Sequence, residues 1–191
     1  MTFTQIPQDT FEKIQANAGV ILSDFDPTSP TLTRANIVCP TSGGVKVTVT
    51  SDFSDWGDDV DNCPKNSKEL KHQNNVTCTF SFTCLSYSVN TLKLAIGAAT
   101  AVAPTSSAVG TVTVARDLTA AHFTNSIWWV SDLADGRWIA AELSNVLSTG
   151  GLSIQSTDNG KGKSDITLMG HYSIENPDVV PIKFYEGKLS A

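Results

Sequence analysis

The sequence predicts a mainly β protein, an antiparallel sandwich or barrel-like domain with one flanking α-helix and a long extended loop. Three observations carry this. Residues 45–50 and 76–84 alternate with period two, the pattern of strands with one buried face. Stretches with helical periodicity are few and short. Further β-branched runs are punctuated by Gly-Gly at 150–151 and by Asp158-Asn159-Gly160, residue pairs that favour tight turns.

The elements follow in chain order. Phe11 to Ala18 reads as a first helix candidate, with Asp9 as N-cap, Glu12 in a capping-box position and Gly19 as a stop. Its apolar residues Phe11, Ile14 and Ala18 form one stripe. Residues 45–50 and 76–84 are strands. In the second, Val76, Cys78, Phe80, Phe82 and Cys84 share one face, and Thr77, Thr79, Ser81 and Thr83 share the other. Val89 to Ile96 is a second helix candidate, capped by Ser88 or Asn90 and ended by Gly97. The Ala-, Ser- and Thr-rich stretch at about 98–115 contains Pro104 and reads as a variable surface loop. Later strands are expected over 127–130, 137–147, 152–155, 165–174 and 182–185. No repeat and no convincing linker divides the chain, so residues 1–191 read as one domain.

Composition narrows the function. The 191 residues include 13 Lys and Arg against 19 Asp and Glu, a net charge of −6. That balance disfavours a dedicated nucleic-acid binder, which needs a basic stripe to displace counterions, and a polybasic membrane-surface protein. No apolar run approaches the roughly 18 residues of a membrane helix. The first residues lack the basic and apolar regions of a signal peptide, so cytosolic synthesis is expected. Cys39, Cys63, Cys78 and Cys84 are then expected to be reduced thiols that behave as small hydrophobes. Only 17% of residues are charged, below the roughly 25% of ordinary soluble domains. Such a chain is expected to commit much of its surface to other protein.

The segment 51–72 is the extended loop. Its acidic part places five aspartates, Asp52, Asp55, Asp58, Asp59 and Asp61, within ten residues. An oxygen-ligated calcium site is conceivable from so many carboxylates, but the spacing is not that of an EF-hand, and no metal is expected. A solvated acidic loop is the plainest reading. An interface loop is another, with Phe53 and Trp56 as anchors and Lys65 and Lys68 facing the acidic residues of an identical subunit. Trp128 and Trp129 must face opposite sides of a strand; core anchoring is the plainest reading, and one can be core while the other meets a partner. His72, His122 and His171 stand apart from any metal-spaced set. No nucleophile elbow, P-loop or dinucleotide fingerprint occurs. No catalytic residue and no cofactor are expected.

Several stretches resemble tail tube proteins, the major tail proteins of long-tailed phages and prophages of Gram-positive bacteria. They are residues 11–22 with Phe25-Asp26-Pro27, residues 41–45, the block 52–66 with Lys68-Glu69-Leu70-Lys71, residues 123–130, and 147–155 with 160–162, 170–173 and 180–182. The block 52–66 is the most specific, and the 98–115 region is the least similar. The resemblance implies a non-enzymatic subunit in a virion tail, assembled in the host cytoplasm. Six copies would form a ring, and rings would stack into a tube for DNA passage. The implied partners are further copies of the chain, a tape-measure protein, and tail terminator and baseplate proteins, with no membrane. The expected subunit-interface residues are Asp52, Phe53, Asp55, Trp56, Asp58, Asp59, Asp61, Lys65, Lys68 and Trp129. Thr77, Thr79, Ser81 and Thr83 are expected to face the lumen, where DNA slides without specific binding. Two other readings stay open. One is a carbohydrate- or protein-binding β-sandwich module of a phage baseplate or adhesin. The other is a β-sandwich enzyme with a reactive Cys or His.

Overall fold

The computed structural model describes residues 7, 9–156, 158 and 160–188. Its strands are β1 (Val20–Leu22), β2 (Ile37–Cys39), β3 (Thr41–Asp55), β4 (Lys71–Cys84), β5 (Ala99–Val102), β6 (Thr111–Val114), β7 (Thr124–Asp132), β8 (Arg137–Ser148), β9 (Ser164–Gly170) and β10 (Ile182–Lys188), with helix α1 at Val89–Ile96. One antiparallel sheet runs β2-β1-β7-β8-β9-β4-β3, and β10 also pairs with β8. β5 and β6 form a separate two-stranded sheet.

The large sheet bends over itself in a sandwich-like arrangement because β8 serves two neighbours in turn. Arg137 to Leu143 pair with β10, and Val146 to Ser148 pair with β9. Between them Asn145 takes a left-handed φ of 49°, and the ladder changes partner there. The inward faces of the two halves then meet. Cys78, Phe80, Phe82 and Cys84 from β4, and Ile166 and Leu168 from β9, pack against Ile21, Ile127, Trp129 and Leu143. The apolar face expected of residues 76–84 is this core face.

A second apolar cluster covers the opposite side of β1, β7 and β8. Trp128, Val130, Trp138 and Ala140 lie under Leu22 and Phe25. Phe25 meets Trp138 edge-on at 5.4 Å and Trp128 tilted at 5.6 Å, spacings at which aromatic pairs attract.

Helix α1 forms where its caps predict. The Ser88 hydroxyl accepts from the Thr91 N–H at 3.1 Å, and Gly97 closes the helix at φ 82° with its N–H on the Lys93 carbonyl. Other expectations fail. Residues 11–18 are not a helix. Glu12 and Lys13 make only local turn bonds, to Asp9 O and Thr10 O, and the chain then bonds to the β7–β8 turn: Ala16 N–H donates to Asp132 O at 2.8 Å, and Ala134 N–H to Ile14 O at 2.9 Å. Phe11 and Ile14 stay exposed, so the apolar stripe has nothing to bury against. Gly19 does not end a helix. It lets the backbone pass the Trp129 indole, where a Cβ would lie 2.3 Å from Nε1.

The stretch at 98–115 is a hairpin, with Ala99 opposite Val114 and Val102 opposite Thr111. Leu152 to Gln155 forms a single bridge, Gln155 to Lys163, instead of a strand. The strand expected over 165–174 ends at Gly170.

Candidate functional site

The expected loop over 51–72 is ladder only at its two ends, 51–55 and 71–72, and remains a connection over 56–70. β3 and β4 pair from Thr41–Cys84 out to Asp55–Lys71. β9 accompanies β4 only over Thr79–Cys84. Residues 71–78 of β4 therefore pair with β3 alone, and the two strands project as an arm with a tip at 56–70. The outer edge of β3 has no strand partner among the described residues.

The tip is ordered by Asp55. Its Oδ1 accepts the Gly57 N–H at 2.9 Å, and its Oδ2 accepts the Asn66 N–H at 2.6 Å. These two bonds, Gly57 first, hold the carboxyl below its ordinary value, helped by Lys71 and Lys65. Trp56 N–H donates to the Leu70 carbonyl at 3.1 Å. Asn62 and Asn66 both take φ 60°, a left-handed conformation that asparagine tolerates better than most residues.

The arm carries its apolar groups outward. Phe53 is 52% exposed, Trp56 64% and Val60 53%. The Trp56 ring stacks on His72 at 4.4 Å. Asp52 accepts from Asn74 at 3.3 Å. Asp58, Asp59, Asp61 and Lys65 are exposed, and Lys68 meets only its neighbour Glu69 at 3.5 Å. The acidic and basic residues do not pair across the tip, so both remain available to a partner.

Trp129 does not belong with this set. It is 7% exposed in the main core, and its Nε1 donates to the Ala18 carbonyl at 3.3 Å. The expectation that it lies at a subunit interface is corrected: the side chain has no outer surface. Trp128 is equally buried, on the opposite face. Period two places the two rings on opposite faces, but it does not show that both faces are covered.

Thr77, Thr79, Ser81 and Thr83 lie together, half-buried, on the outer face of β4. Thr50, Thr48 and Lys46 stand beside Thr77, Thr79 and Ser81 on β3, and Thr167 and Asp165 stand beside Ser81 and Thr83 on β9. Ser81 and Thr167 hydroxyls are 3.3 Å apart, and Thr83 donates to Asp165 at 2.6 Å. The result is a three-strand hydroxyl face with one lysine and one aspartate. The Lys46 strand was recognisable from its alternation. The β9 contribution was not, because strand order is not written in local sequence.

No protein-family model and no curated protein matches the chain. Solved structures are similar to it, two among them described as parts of tube or tail assemblies. One is the tube-terminating cap of an anti-feeding prophage, with a TM-score of 0.47 at 13% identity over 96% of this chain and 94% of that one. The other is the tail of an empty GTA particle with C6 symmetry, with a TM-score of 0.42 at 6% identity over 84% of this chain and 96% of that one.

Among the described residues, no group of three His, Cys, Asp or Glu side chains could hold a metal ion. No helix there is long and apolar enough to cross a membrane.

Proposed function

We propose that this chain is a structural subunit of a phage-type tail tube that acts by polymerising and not by catalysis. Copies join side by side into six-membered rings, the rings stack, and the hollow conducts DNA and a tape-measure protein. Terminator and baseplate proteins close the two ends.

The observation that carries the reading is the β3–β4 arm. The outer part of the arm, 51–75, is a projection with an ordered tip and three exposed apolar side chains, Phe53, Trp56 and Val60, that pack into neither core cluster. A long unpaired edge beside it is an aggregation hazard in a solitary protein and a joining device in a polymer. The sequence resemblance is most specific over the same residues, 52–66.

The hydroxyl face suits a channel wall. Hydroxyls keep it wet, and one lysine balanced by one aspartate gives a polyanion little to hold, since phosphate affinity grows with each neutralising cation.

Electron microscopy and sedimentation velocity of the purified protein test the proposal. Hollow tubes or six-fold rings are expected. A protein that stays monomeric at high concentration, even with a nucleating tail complex supplied, overturns it. A monomer that binds immobilised glycans would favour a binding module instead.

A further inference from the structure

We infer that a cavity at the root of the arm is the receptor for the arm tip of another copy, so that subunits engage head to tail. This rests on the reading that copies of the chain assemble with one another, and it adds where the tip goes.

The cavity has a volume of about 320 Å³ and lies between α1, β2 and the ends of β7 and β8. Val38, Leu94, Ile127 and Val146 form apolar walls. Its polar lining is unusual for a protein interior. His122 is 9% exposed and Ser148 is 8% exposed. The Thr119 N–H donates to His122 Nδ1 at 3.0 Å, so the neutral ring carries its proton on Nε2. The Ser148 hydroxyl is buried and has no hydrogen-bond partner among the described residues. Buried polar groups are ordinarily satisfied, so this orphan hydroxyl beside the cavity points to an absent acceptor.

Charge identifies the kind of acceptor. Lys93 is the one charged residue in the lining, and no carboxylate is present. Ser88, Asn90 and Thr91 from the first turn of α1 also line it, and Gly97 lines it at the other end of the helix. The site therefore fits a carboxylate carried next to an apolar group. The tip offers that chemistry: Val60 is 53% exposed between the exposed Asp59 and Asp61.

Distance rules out the chain's own tip. Val38 stands just before Pro40, whose carbonyl accepts from Leu85 N–H at 3.0 Å where the hairpin begins. The β3 ladder then runs from Thr41 to Asp55, about 45 Å at 3.3 Å per residue. Donor tip and receptor cavity lie at opposite ends of one stiff hairpin. Such a contact is heterologous, the type that builds rings or open filaments instead of closed pairs.

Cross-linking tests this. Two full-length variants are made in a Cys63→Ser background, one with Asp58→Cys at the tip and one with Asn90→Cys at the cavity mouth. They are mixed and treated with a short bismaleimide, and the same sample is imaged. A cross-linked dimer confined to the mixture is expected. Lys93→Glu in the Asn90→Cys partner should lower its yield about tenfold by presenting like charge to the tip, and Lys93→Arg should preserve it. Tubes without the cross-link overturn the inference and leave self-assembly standing. Neither tubes nor cross-link overturns both. A cross-link without tubes supports the docking and counts against the tube.

Discussion

Asn145 and His171 are hydrogen-bonded to each other twice where β8 changes neighbours. The Asn145 amide donates to the His171 carbonyl at 3.0 Å, and His171 Nδ1 donates to the Asn145 carbonyl at 3.1 Å. The carbonyl can only accept, so the His171 proton on this side sits on Nδ1. His171 N–H adds a bond to Ser144 O at 3.3 Å. This clasp holds the bend that brings the two halves of the sheet together. Asn145→Ala loses the amide bond and places a Cβ-bearing residue less tolerant of φ 49° there. A loss of about 2 kcal/mol is expected. Asn145→Gly relieves the backbone and should lose less. Chemical denaturation of the two variants measures the difference, and equal losses would show that the backbone conformation contributes nothing.

Asp55 makes arm order depend on pH. Its carboxyl is held below the ordinary value of 3.8 by the Gly57 and Asn66 N–H groups. Folding lowers the pKa, so the contribution is fully present above the ordinary value and is lost as pH falls through the folded one. The Gly57 and Asn66 amides should exchange faster, relative to core amides, below about pH 4. Asp55→Asn retains one acceptor oxygen and turns the other into a donor. It should raise tip exchange at neutral pH and flatten the acid response. Unchanged exchange at both amides would remove Asp55 from its role.

The four cysteines should separate sharply by reactivity. All are free thiols. Burial pushes the Cys39 thiol well up, with a further contribution from its hydrogen bond to Cys84, and burial pushes Cys78 up as well. The thiolate is the reactive form, so these positions are slow. Cys63 sits half-buried at the arm tip. One thiol per native chain should react quickly with a maleimide, and denaturant should release the other three. Cys63→Ser should abolish the fast phase. A second fast thiol would show that the β2–β4 corner opens readily.

What could be read from sequence was local. Ser88 and Gly97 mark α1 because caps act within a turn of the residues they satisfy. The outer ladder residues 51–55 and 71–72 were taken for loop because alternation stops at Thr50, where both faces of the hairpin become wet and period two no longer reports a strand. The β5–β6 hairpin hid behind small residues and Pro104. Residues 11–18 have the pattern of a helix, yet the backbone partners of Ile14 and Ala16 lie more than a hundred positions away at Ala134 and Asp132. The cavity beside α1 was out of reach for the same reason: His122 and Ser148 meet only through the topology.

The hydroxyl face can be tested by charge. Thr79→Lys and Ser81→Lys together add two cations beside Lys46 while leaving the inward residues Cys78, Phe80 and Phe82 untouched. Folding should be preserved, since both side chains already stand on the wet side. Tubes of the variant should retain DNA at low salt and release it steeply as salt rises. A co-sedimentation assay across a salt series reads this. If native and variant tubes retain DNA equally, the face does not line the channel.

Phe53 and Trp56 are the apolar groups of the arm that a neighbour would cover. Exposed apolar side chains contribute little to the stability of their own chain, whereas aromatic residues dominate the energetics of well-packed interfaces. Phe53→Ser with Trp56→Ser should leave the thermal midpoint nearly unchanged. Trp56 stacks only on His72, and Phe53 lies opposite Gln73 on the two-stranded part of the arm. Each lost hot spot weakens association by about 2 kcal/mol or more, and a polymer multiplies that loss at every joint. Sedimentation velocity should therefore show the double variant as small species at concentrations where the native chain polymerises. A variant that melts early would instead mean that the aromatics hold the arm together, and normal polymers would mean that the arm is not a joint.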